Sequence, residues 1–382
     1  MPPEPRTPAR IALLTDRFTI GGGLRHIEWI VRGMPDVRFG VFADGGDHDG
    51  DLPDLPNAER FRNGVDPAEL ARFAPDLIHV HHLKPLTRLL ANPFRRPAVP
   101  VLFTAHGLHI HKYDFMSGIA NRVKRRMRHE LENYLFQRVA GVVAVSREDR
   151  DYLRRVYRVR HPRYIPNGID YGPLGDRTDD RLDWRREQGL SSADFAILTV
   201  ARFPFQKAHE ILLEGLARIA PLLRERRATV FLVGDGPRRG TFEALAERLA
   251  ISDRVRFMGR RTDVLRCMAG ADLFLLPSRW EGLPITLLEA GGCRLPVLGS
   301  DTFGIRELIS DADTGLLFEN ENAVALAERL REILDGRHDL AGMADRLHQR
   351  VTTQYAICGM IERLRELYAP HLRICAPELL RT

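Results

Sequence analysis

The sequence contains few cysteines and few aromatic residues, and it has no long apolar run. Its four cysteines are scattered without metal-site spacing, which indicates small core side chains in a reducing compartment. No stretch approaches the roughly 20 apolar residues of a membrane-spanning helix. The amino terminus is polar and Pro-rich, so we expect no signal peptide. Aromatic residues make up 8% of the chain and are not interleaved with the basic ones, which disfavours a nucleic-acid-binding protein.

The composition that remains is that of a globular protein with more than one domain. A chain of 382 residues is too long for one ordinary domain, so two domains are the default expectation. Its 44% apolar and 28% charged residues are typical of a globular protein. The formal net charge of +6 favours anionic partners such as nucleotide phosphates, anionic lipid surfaces or nucleic acid.

Both halves predict a doubly wound sheet, because short apolar runs alternate with helical segments and parallel strands need crossover connections. In the first half, the predicted strands are 11–15, 37–42, 77–80, 101–104 and 141–145. In the second half, the predicted strands are 195–200, 229–233, 255–257, 273–276 and 296–298. The Pro and Asn-Gly residues of 165–170 stop regular structure, so the predicted domains are 1–168 and 169–354.

Two carboxylates flank a Gly-Leu-Pro turn after strand 273–276. We expect Glu281 on the loop at the carboxyl edge of the sheet and Glu289 about two turns into the next helix. Open α/β sheets bind ligands at this edge, so the acids are candidates for holding the hydroxyls of a sugar or ribose. The spacing alone fits equally well a solvated Glu281 and a Glu289 that only favours the positive end of a helix.

Two cations follow the first strand of the second domain. Arg202 and Lys207 suit a diphosphate, since arginine forms forked hydrogen bonds and lysine supplies a point charge. By themselves they are more typical of solvated surface cations. In the first domain, the segment 21–23 is three glycines between a strand and a helix, where backbone N–H groups can approach a phosphate. A dinucleotide fingerprint would need a small residue at His26, so a nicotinamide oxidoreductase is disfavoured.

Further candidates follow other predicted strands. Gly234 and Arg260 lie on loops of the second domain, and Asp235 is interpreted as a cap of the next helix rather than a ligand contact. His106 follows strand 101–104, and a lone histidine is more often structural. Histidines 79, 81, 82, 109 and 111 crowd the same region and leave a metal site open. The basic run 121–129 is typical of a solvated helix face, or of attachment to an anionic membrane or an acidic acceptor.

These motifs together resemble those of the retaining glycosyltransferases of family four. Glu281 to Glu289 matches the E-x7-E signature, and Ala201 to Lys207 matches the G-R-x4-K clamp with alanine in place of glycine. The resemblance implies the GT-B fold, in which two Rossmann-like, doubly wound parallel-sheet domains face a central cleft. It also implies that a C-terminal helix, about 355–382, crosses back to the N-terminal, acceptor-side domain.

The resemblance further implies a hexosyltransferase that moves a sugar from a nucleotide-sugar, a UDP- or GDP-sugar, to an acceptor hydroxyl with retention at the anomeric carbon. It assigns catalytic positions to His106 and Glu281. The implied donor-binding residues are Gly22, Gly23, Arg202, Lys207, Gly234, Arg260, Leu283, Pro284 and Glu289. It implies no metal and no required cofactor.

The implied setting is the synthesis of cell-envelope glycans, glycolipids or other glycoconjugates, with a sugar, a lipid-linked glycan or another glycan as acceptor. We expect a cytoplasmic protein without nucleic-acid partners, with Arg122–Arg128 available for peripheral contact with the inner face of the membrane. Leu24, Phe303 and Arg306 depart from the family pattern. Two alternatives remain: a nucleotide-sugar epimerase of the same fold, and a non-catalytic subunit that binds nucleotide-sugars.

Overall fold

The structure, a computed structural model, describes residues 8–18, 21–44, 53–94, 96–174 and 177–372. The chain divides into two compact units, one made of 1–168 with 357–382 and the other of 169–356. Each unit is built around its own parallel sheet with helices connecting the strands. This is the architecture that the alternation of strands and helices predicts.

The first unit contains a seven-stranded sheet in the order β3-β2-β1-β4-β5-β6-β7. Its strands are β1 (Arg10–Leu14), β2 (Arg38–Phe42), β3 (Ala58–Phe61), β4 (Leu77–Val80), β5 (Val101–Ala105), β6 (Gly141–Ala144) and β7 (Arg163–Tyr164). The named strands pair in parallel. The central strands β1, β4 and β5 are buried almost throughout, which explains their nearly continuous apolar sequences.

Helices connect these strands, and the last helix of the chain belongs to the same unit. They are α1 (Gly22–Gly33), α2 (Pro67–Phe73), α3 (Leu83–Leu90), α4 (Ile119–Phe136), α5 (Arg147–Arg155) and, from the carboxyl end, α15 (Ile357–Tyr368). The α15 helix buries Met360, Ile361 and Leu364, and Ile361 packs so closely on Gly33 that a Cβ there would meet its side chain at 2.5 Å. The C-terminal helix therefore completes the first unit, as the family resemblance implies.

The second unit contains a six-stranded parallel sheet in the order β10-β9-β8-β11-β12-β13. Its strands are β8 (Phe195–Val200), β9 (Ala228–Val233), β10 (Val255–Gly259), β11 (Leu273–Leu276), β12 (Val297–Ser300) and β13 (Leu316–Phe318). Its helices are α6 (Thr178–Glu187), α7 (His209–Arg218), α8 (Ala220–Glu225), α9 (Arg239–Arg248), α10 (Val264–Gly270), α11 (Ile285–Gly292), α12 (Ile305–Leu308), α13 (Ala323–Leu334) and α14 (Leu340–Gln354).

Each sheet reverses its strand order once, and the reversal defines where a ligand is expected. The first sheet reverses between β1 and β4, and the second reverses between β8 and β11. Ligands of open α/β sheets bind outside the carboxyl ends of the strands at such a switch point. Within the described residues, no helix is both long and apolar enough to cross a bilayer.

Candidate functional site

The switch point of the second unit brings together the two loops that carry the predicted charges. Arg202 and Lys207 follow β8, and Glu281 follows β11, which pairs with β8. Arg202 is exposed, whereas Lys207 is largely covered. The parallel arrangement places both loops at the carboxyl edge of the sheet, so three of the predicted residues share one edge.

Lys207 and Glu281 form an ion pair. The Lys207 ammonium donates to Oε1 of Glu281, whose side chain is only 7% exposed. The Ser278 hydroxyl donates to the same oxygen over 2.6 Å. Charge-assisted bonds of this kind are stronger than neutral ones, so both charged groups are held in place. The sequence predicted that Lys207 binds phosphate and that Glu281 binds sugar. It did not predict that the two side chains pair with each other.

Glu289 is more buried, and lies nearer the start of its helix, than the sequence suggested. It is the fifth residue of α11, a little over one turn from the start and not two, and it is 6% exposed. Its charge adds to burial in raising the pKa of the Cys293 thiol to about 12. A buried carboxylate beyond the first turn gains little from the helix dipole, so the dipole does not account for Glu289.

The loops after β8, β9 and β10 lie side by side. The Phe203 amide donates to the Asp235 carbonyl over 3.2 Å, and the Gly234 amide donates to the Gly259 carbonyl over 2.8 Å. Gly234 has φ 142°, and a Cβ there would lie 1.9 Å from the Ala201 carbonyl oxygen. Only glycine therefore allows the β9 loop to approach the Arg202 loop this closely.

The interpretation of Asp235 as a helix cap was wrong. The α9 helix has Arg238 at its N-cap position, without a side-chain cap. Asp235 instead accepts a hydrogen bond from the Gly236 amide over 2.7 Å. Asp235 thus stabilises the turn after β9. It does not cap α9, because the turn continues for several residues before that helix begins. Arg260, which follows β10, is exposed.

The loop that carries Glu281 is buried and packed from the other side by Gly304. Leu283 is 4% exposed, and Pro284 occupies the N-cap position of α11. Gly304 has φ 75°, and a Cβ there would lie 2.0 Å from the Gly282 carbonyl oxygen. The family departure at Phe303 thus leaves the adjoining glycine in place, and that glycine is required for contact with the Glu281 loop.

In the first unit, the three glycines form the N-terminus of α1, with Gly21 at the N-cap position and Gly22 and Gly23 as the first two helical residues. This helix starts at Gly22 without a side-chain cap and without an acidic residue in its first turn. The ring of His82 lies beside Gly23, where a Cβ would meet Cε1 at 3.2 Å, and its Nδ1 lies 3.0 Å from the Thr15 hydroxyl. The backbone N–H groups and the positive end of the helix favour an anion here.

Histidine side chains converge at the switch point of the same sheet. Nδ1 of His81 lies 3.1 Å from Nε2 of His106, and the ring of His26 stands edge-on to His106 with 4.7 Å between ring centroids. Burial lowers the pKa of His26 to about 4, and a side-chain hydrogen bond with Asn167 opposes this shift. Burial also holds the pKa of His81 and of His106 well below the ordinary value, and the neighbouring imidazoles add to both shifts. The cluster is therefore neutral at pH 7.

The histidines that crowd together are not quite those that the sequence indicated. His26, from α1, joins the cluster, and no strand-end position marks it in the sequence. His79 also belongs to the cluster, with its ring centroid 4.3 Å from that of His81, and its ring nitrogens bond to Tyr368 and Thr104, at 2.7 Å from each. His111 lies 3.1 Å from Asp114 in a separate 3-10 turn.

Among the described residues, one histidine group has metal-ligand potential. One ring nitrogen from each of His26, His81 and His106 lies within 4.8 Å of the others. Zinc-bound nitrogens at about 2.0–2.1 Å in a tetrahedron are about 3.4 Å apart, and Nδ1 of His81 already lies 3.1 Å from Nε2 of His106. The expectation of a site without metal stays a prediction.

Two family profiles match the chain. The profile described as Glycosyltransferase Family 4 matches residues 48–172, and the profile described as Glycosyl transferases group 1 matches residues 180–352. The chain belongs to glycosyltransferase family 4. This confirms the resemblance carried by Glu281 to Glu289 and by Arg202 to Lys207.

Curated relatives include other members of this family. N-acetyl-alpha-D-glucosaminyl L-malate synthase of Bacillus anthracis is 27% identical over 265 residues, which cover 68% of this chain and 65% of the relative. Lipopolysaccharide glucosyltransferase WaaG of Escherichia coli is 30% identical over 249 residues, which cover 63% of this chain and 65% of the relative. The chain thus matches just under two thirds of the length of each of these family 4 relatives.

Solved structures share the fold. The crystal structure of WaaG aligns with a TM-score of 0.77 at 22% identity, covering 94% of this chain and 99% of WaaG. Anabaena HepE in complex with UDP-glucose aligns with a TM-score of 0.77 at 22% identity, covering 94% of this chain and 99% of HepE. At this level of identity the likeness establishes the fold, and it confirms the predicted GT-B architecture of this family 4 chain.

Proposed function

We propose that this chain is a retaining glycosyltransferase that transfers a hexose from a nucleotide-sugar to an acceptor hydroxyl. The observation that carries the proposal is the ion pair of Lys207 with Glu281 at the switch point of the second unit, with Arg202 exposed on the same loop as Lys207. A diphosphate needs cations and a sugar needs hydrogen-bond acceptors. This edge of the sheet supplies both.

In the second unit, Arg202 and Lys207 bind the donor diphosphate and stabilise the charge that develops on it as the sugar leaves. Arrival of the diphosphate gives Lys207 a second anion, which lets the Glu281 carboxylate accept hydrogen bonds from the sugar. Glu289 accepts from the ribose hydroxyls. Leu283 and Pro284 continue the loop that orients the sugar.

Other predicted contacts involve backbone groups and a neutral imidazole. Gly234 and Arg260 belong to adjacent loops that contact the nucleotide. In the first unit, the N–H groups of Gly22 and Gly23 bind phosphate oxygens. His106 hydrogen-bonds a sugar hydroxyl in its neutral form. Transfer occurs on one face of the sugar, and the leaving phosphate accepts the proton of the acceptor hydroxyl, so the anomeric configuration is retained.

A donor screen tests the proposal directly. A thermal-shift series compares UDP, GDP, ADP and dTDP, and we test UDP first because HepE is solved in complex with UDP-glucose. The stabilising nucleotide then identifies the nucleotide-sugars for a transfer assay, in which anomeric NMR distinguishes retention from epimerisation. Lys207→Ala should abolish the shift. If the protein releases nucleotide from none of the donors tested, with or without acceptors, that result would contradict transfer and favour the non-catalytic subunit.

The acceptor side has one surface that supports a membrane-linked substrate. Ile119, Val123, Met127 and Leu131 recur every four residues along α4 and are exposed by 72%, 53%, 67% and 37%. Residues four apart lie on the same side of a helix, so these side chains form an apolar stripe. The exposed basic residues between them are Arg122, Lys124, Arg125 and Arg126.

An apolar stripe bordered by cations is typical of a helix that lies in the interface of an anionic membrane. The stripe favours this role over a merely solvated basic face, although Arg125 and Arg126 also pair with Asp114 and Glu130. We therefore place the enzyme at the inner face of the membrane, where it glycosylates a lipid-linked acceptor of the cell envelope.

Vesicle co-sedimentation tests this placement. The protein should bind vesicles that contain anionic lipid, bind zwitterionic vesicles less, and dissociate as salt increases. The double variant Val123→Glu/Met127→Glu should abolish binding, whereas the same change at an exposed apolar residue elsewhere, Leu182→Glu, should not. Binding that the double variant leaves intact would show that α4 is not the contact surface.

A further inference from the structure

Arg279 lies inside the second-unit site without belonging to the family motif. It stands two residues before Glu281 and is 5% exposed. We propose that Arg279 is a positioning residue, which holds the Lys207 loop against the Glu281 loop and so sets the distance between the two charges before the donor binds. The inference rests on the proposed function for its effect on catalysis.

Backbone hydrogen bonds join the two loops at Arg279. Its amide donates to the Gln206 carbonyl over 2.8 Å. The Gln206 side-chain amide donates in return to the Trp280 carbonyl over 2.8 Å. Gln206, the residue before Lys207, is therefore bonded to both Arg279 and Trp280, and a shift of either loop breaks these bonds.

The guanidinium of Arg279 contacts groups on both sides of Lys207. It lies over the Phe205 ring, 3.8 Å from the centroid, and Nη1 donates to the Phe205 carbonyl over 2.5 Å. Nη2 lies 3.1 Å from Glu210, and Nε donates to Glu321. Arginine alone presents donors in a planar fork that also stacks on an aromatic ring. The Arg279 side chain therefore contacts residues on both sides of Lys207, at Phe205 and at Glu210.

Arg279 is itself held by neighbouring loops. Its carbonyl accepts hydrogen bonds from the Thr302 hydroxyl and from the Asn320 side-chain amide, each over 2.9 Å. The Ser278 carbonyl accepts from the Ser300 hydroxyl over 2.5 Å. These hydrogen bonds restrain Arg279, and the contacts of Arg279 in turn restrain the loop that carries Lys207. Preorganised charges avoid a reorganisation cost when the donor binds.

Arg185 provides a matched control. It lies in the same unit, is 6% exposed, pairs with Asp272 at 2.9 Å, and donates to the carbonyls of Gly270, Ser191 and Asp194. Replacing either arginine by alanine removes a buried, multiply bonded guanidinium. Only Arg279 contacts the loop of Lys207, so the two variants separate positioning from general stability.

The experiment compares Arg279→Ala, Arg279→Lys and Arg185→Ala with the unchanged full chain, at a temperature where all are folded. We expect both Arg279 variants to accelerate hydrogen exchange at 203–208 by about 10-fold or more and to raise the donor KM by a similar factor, with the acceptor KM unchanged. Arg185→Ala should lower the melting temperature without either effect. If Arg279→Ala does not fold, Arg279→Lys carries the comparison.

Exchange at 203–208 that is no faster in the Arg279 variants than in Arg185→Ala would overturn the inference. So would full recovery of exchange and donor KM in Arg279→Lys, because charge alone would then suffice. Hydrogen exchange is measured without substrate. A chain that transfers no sugar would therefore contradict the proposed function while the positioning role of Arg279 is still decided by exchange.

Discussion

The two units place chemically different groups at equivalent positions of the same fold. At the switch point of the second sheet lie charged groups, Lys207 and Glu281, which pair with each other. At the switch point of the first sheet lie imidazoles, among them His81 and His106, whose pKa values burial holds well below the ordinary value. The backbone architecture thus does not determine the electrostatics of the edge. The side chains at the strand ends do.

The difference matches two of the proposed side-chain contacts, that of Lys207 with the diphosphate in the second unit and that of His106 with a sugar hydroxyl in the first. A diphosphate carries charge, and charge-assisted hydrogen bonds to it are strong. Sugar hydroxyls are neutral, and a neutral imidazole both donates and accepts hydrogen bonds. Neutral histidines also avoid the cost of burying several like charges together. The following experiments test whether charge matters in the second unit and neutrality in the first.

The largest effect is expected from Lys207→Ala. It removes a diphosphate ligand and leaves the buried Glu281 carboxylate without its cation. We expect kcat/KM to fall by about 100-fold or more and the free energy of unfolding to fall by about 3 kcal/mol. Transfer kinetics and urea unfolding measure the two quantities.

The double variant Lys207→Ala/Glu281→Ala is the control for this change. It removes the unpaired carboxylate as well, so stability should largely return while transfer stays lost. A double variant as unstable as the single one would show that the ion pair does not account for the stability loss.

A smaller effect is expected from His106→Ala. The side chain makes no charged contact among the described residues, so the loss should lie in transfer, by about 10- to 100-fold, rather than in folding. His161→Ala, at an exposed site of the same unit, serves as control. Unchanged transfer in His106→Ala would contradict the sugar contact.

The pH dependence of stability should differ between the units. Burial lowers the pKa of His26 to about 4 and that of His79 to about 3, whereas unfolded histidine has a pKa of about 6.5. Between these values the unfolded chain binds more protons, so stability falls as pH drops from 6.5 toward 4. Each such group contributes up to about 1.4 kcal/mol per pH unit. The second unit has one comparable described histidine, His209, with its pKa lowered to about 3.

Urea unfolding at pH 7 and pH 5, read by pulse-labelling hydrogen exchange at one fixed pH, resolves the two units. The first unit should lose more stability than the second. His26→Gln should reduce the first unit's loss of unfolding free energy by about the contribution of one histidine. His161→Gln should leave that loss unchanged. Equal losses in both units would contradict the neutral cluster.

The smallest effect is expected from metal removal. His26, His81 and His106 form a group that could hold an ion, but the resemblance to family 4 implies no metal, so treatment with a chelator should leave the transfer rate unchanged. Cobalt absorption spectroscopy provides an independent measurement. A rate that falls with chelator and returns with one divalent cation would contradict the prediction.

The elements that the sequence predicted correctly are those with strong local signals. The buried central strands are nearly continuous apolar runs, and the prediction of 195–200 agrees with β8 residue for residue. The strands β3, β7 and β13 were missed. Ala58–Phe61 contains two charged residues at a sheet edge, and Arg163–Tyr164 and Leu316–Phe318 are too short to show a period of two.

The sequence by itself determined which residues leave the carboxyl ends of the strands, since apolar runs and turn residues mark those ends locally. Arg202, Lys207 and Glu281 were identified in this way. Only the tertiary structure decided that Lys207 pairs with Glu281, 74 positions away, and that Arg279 joins their loops. It also brought His26 to His106. These contacts depend on which strands become neighbours, and strand order arises from packing the helices on the sheet rather than from any local pattern.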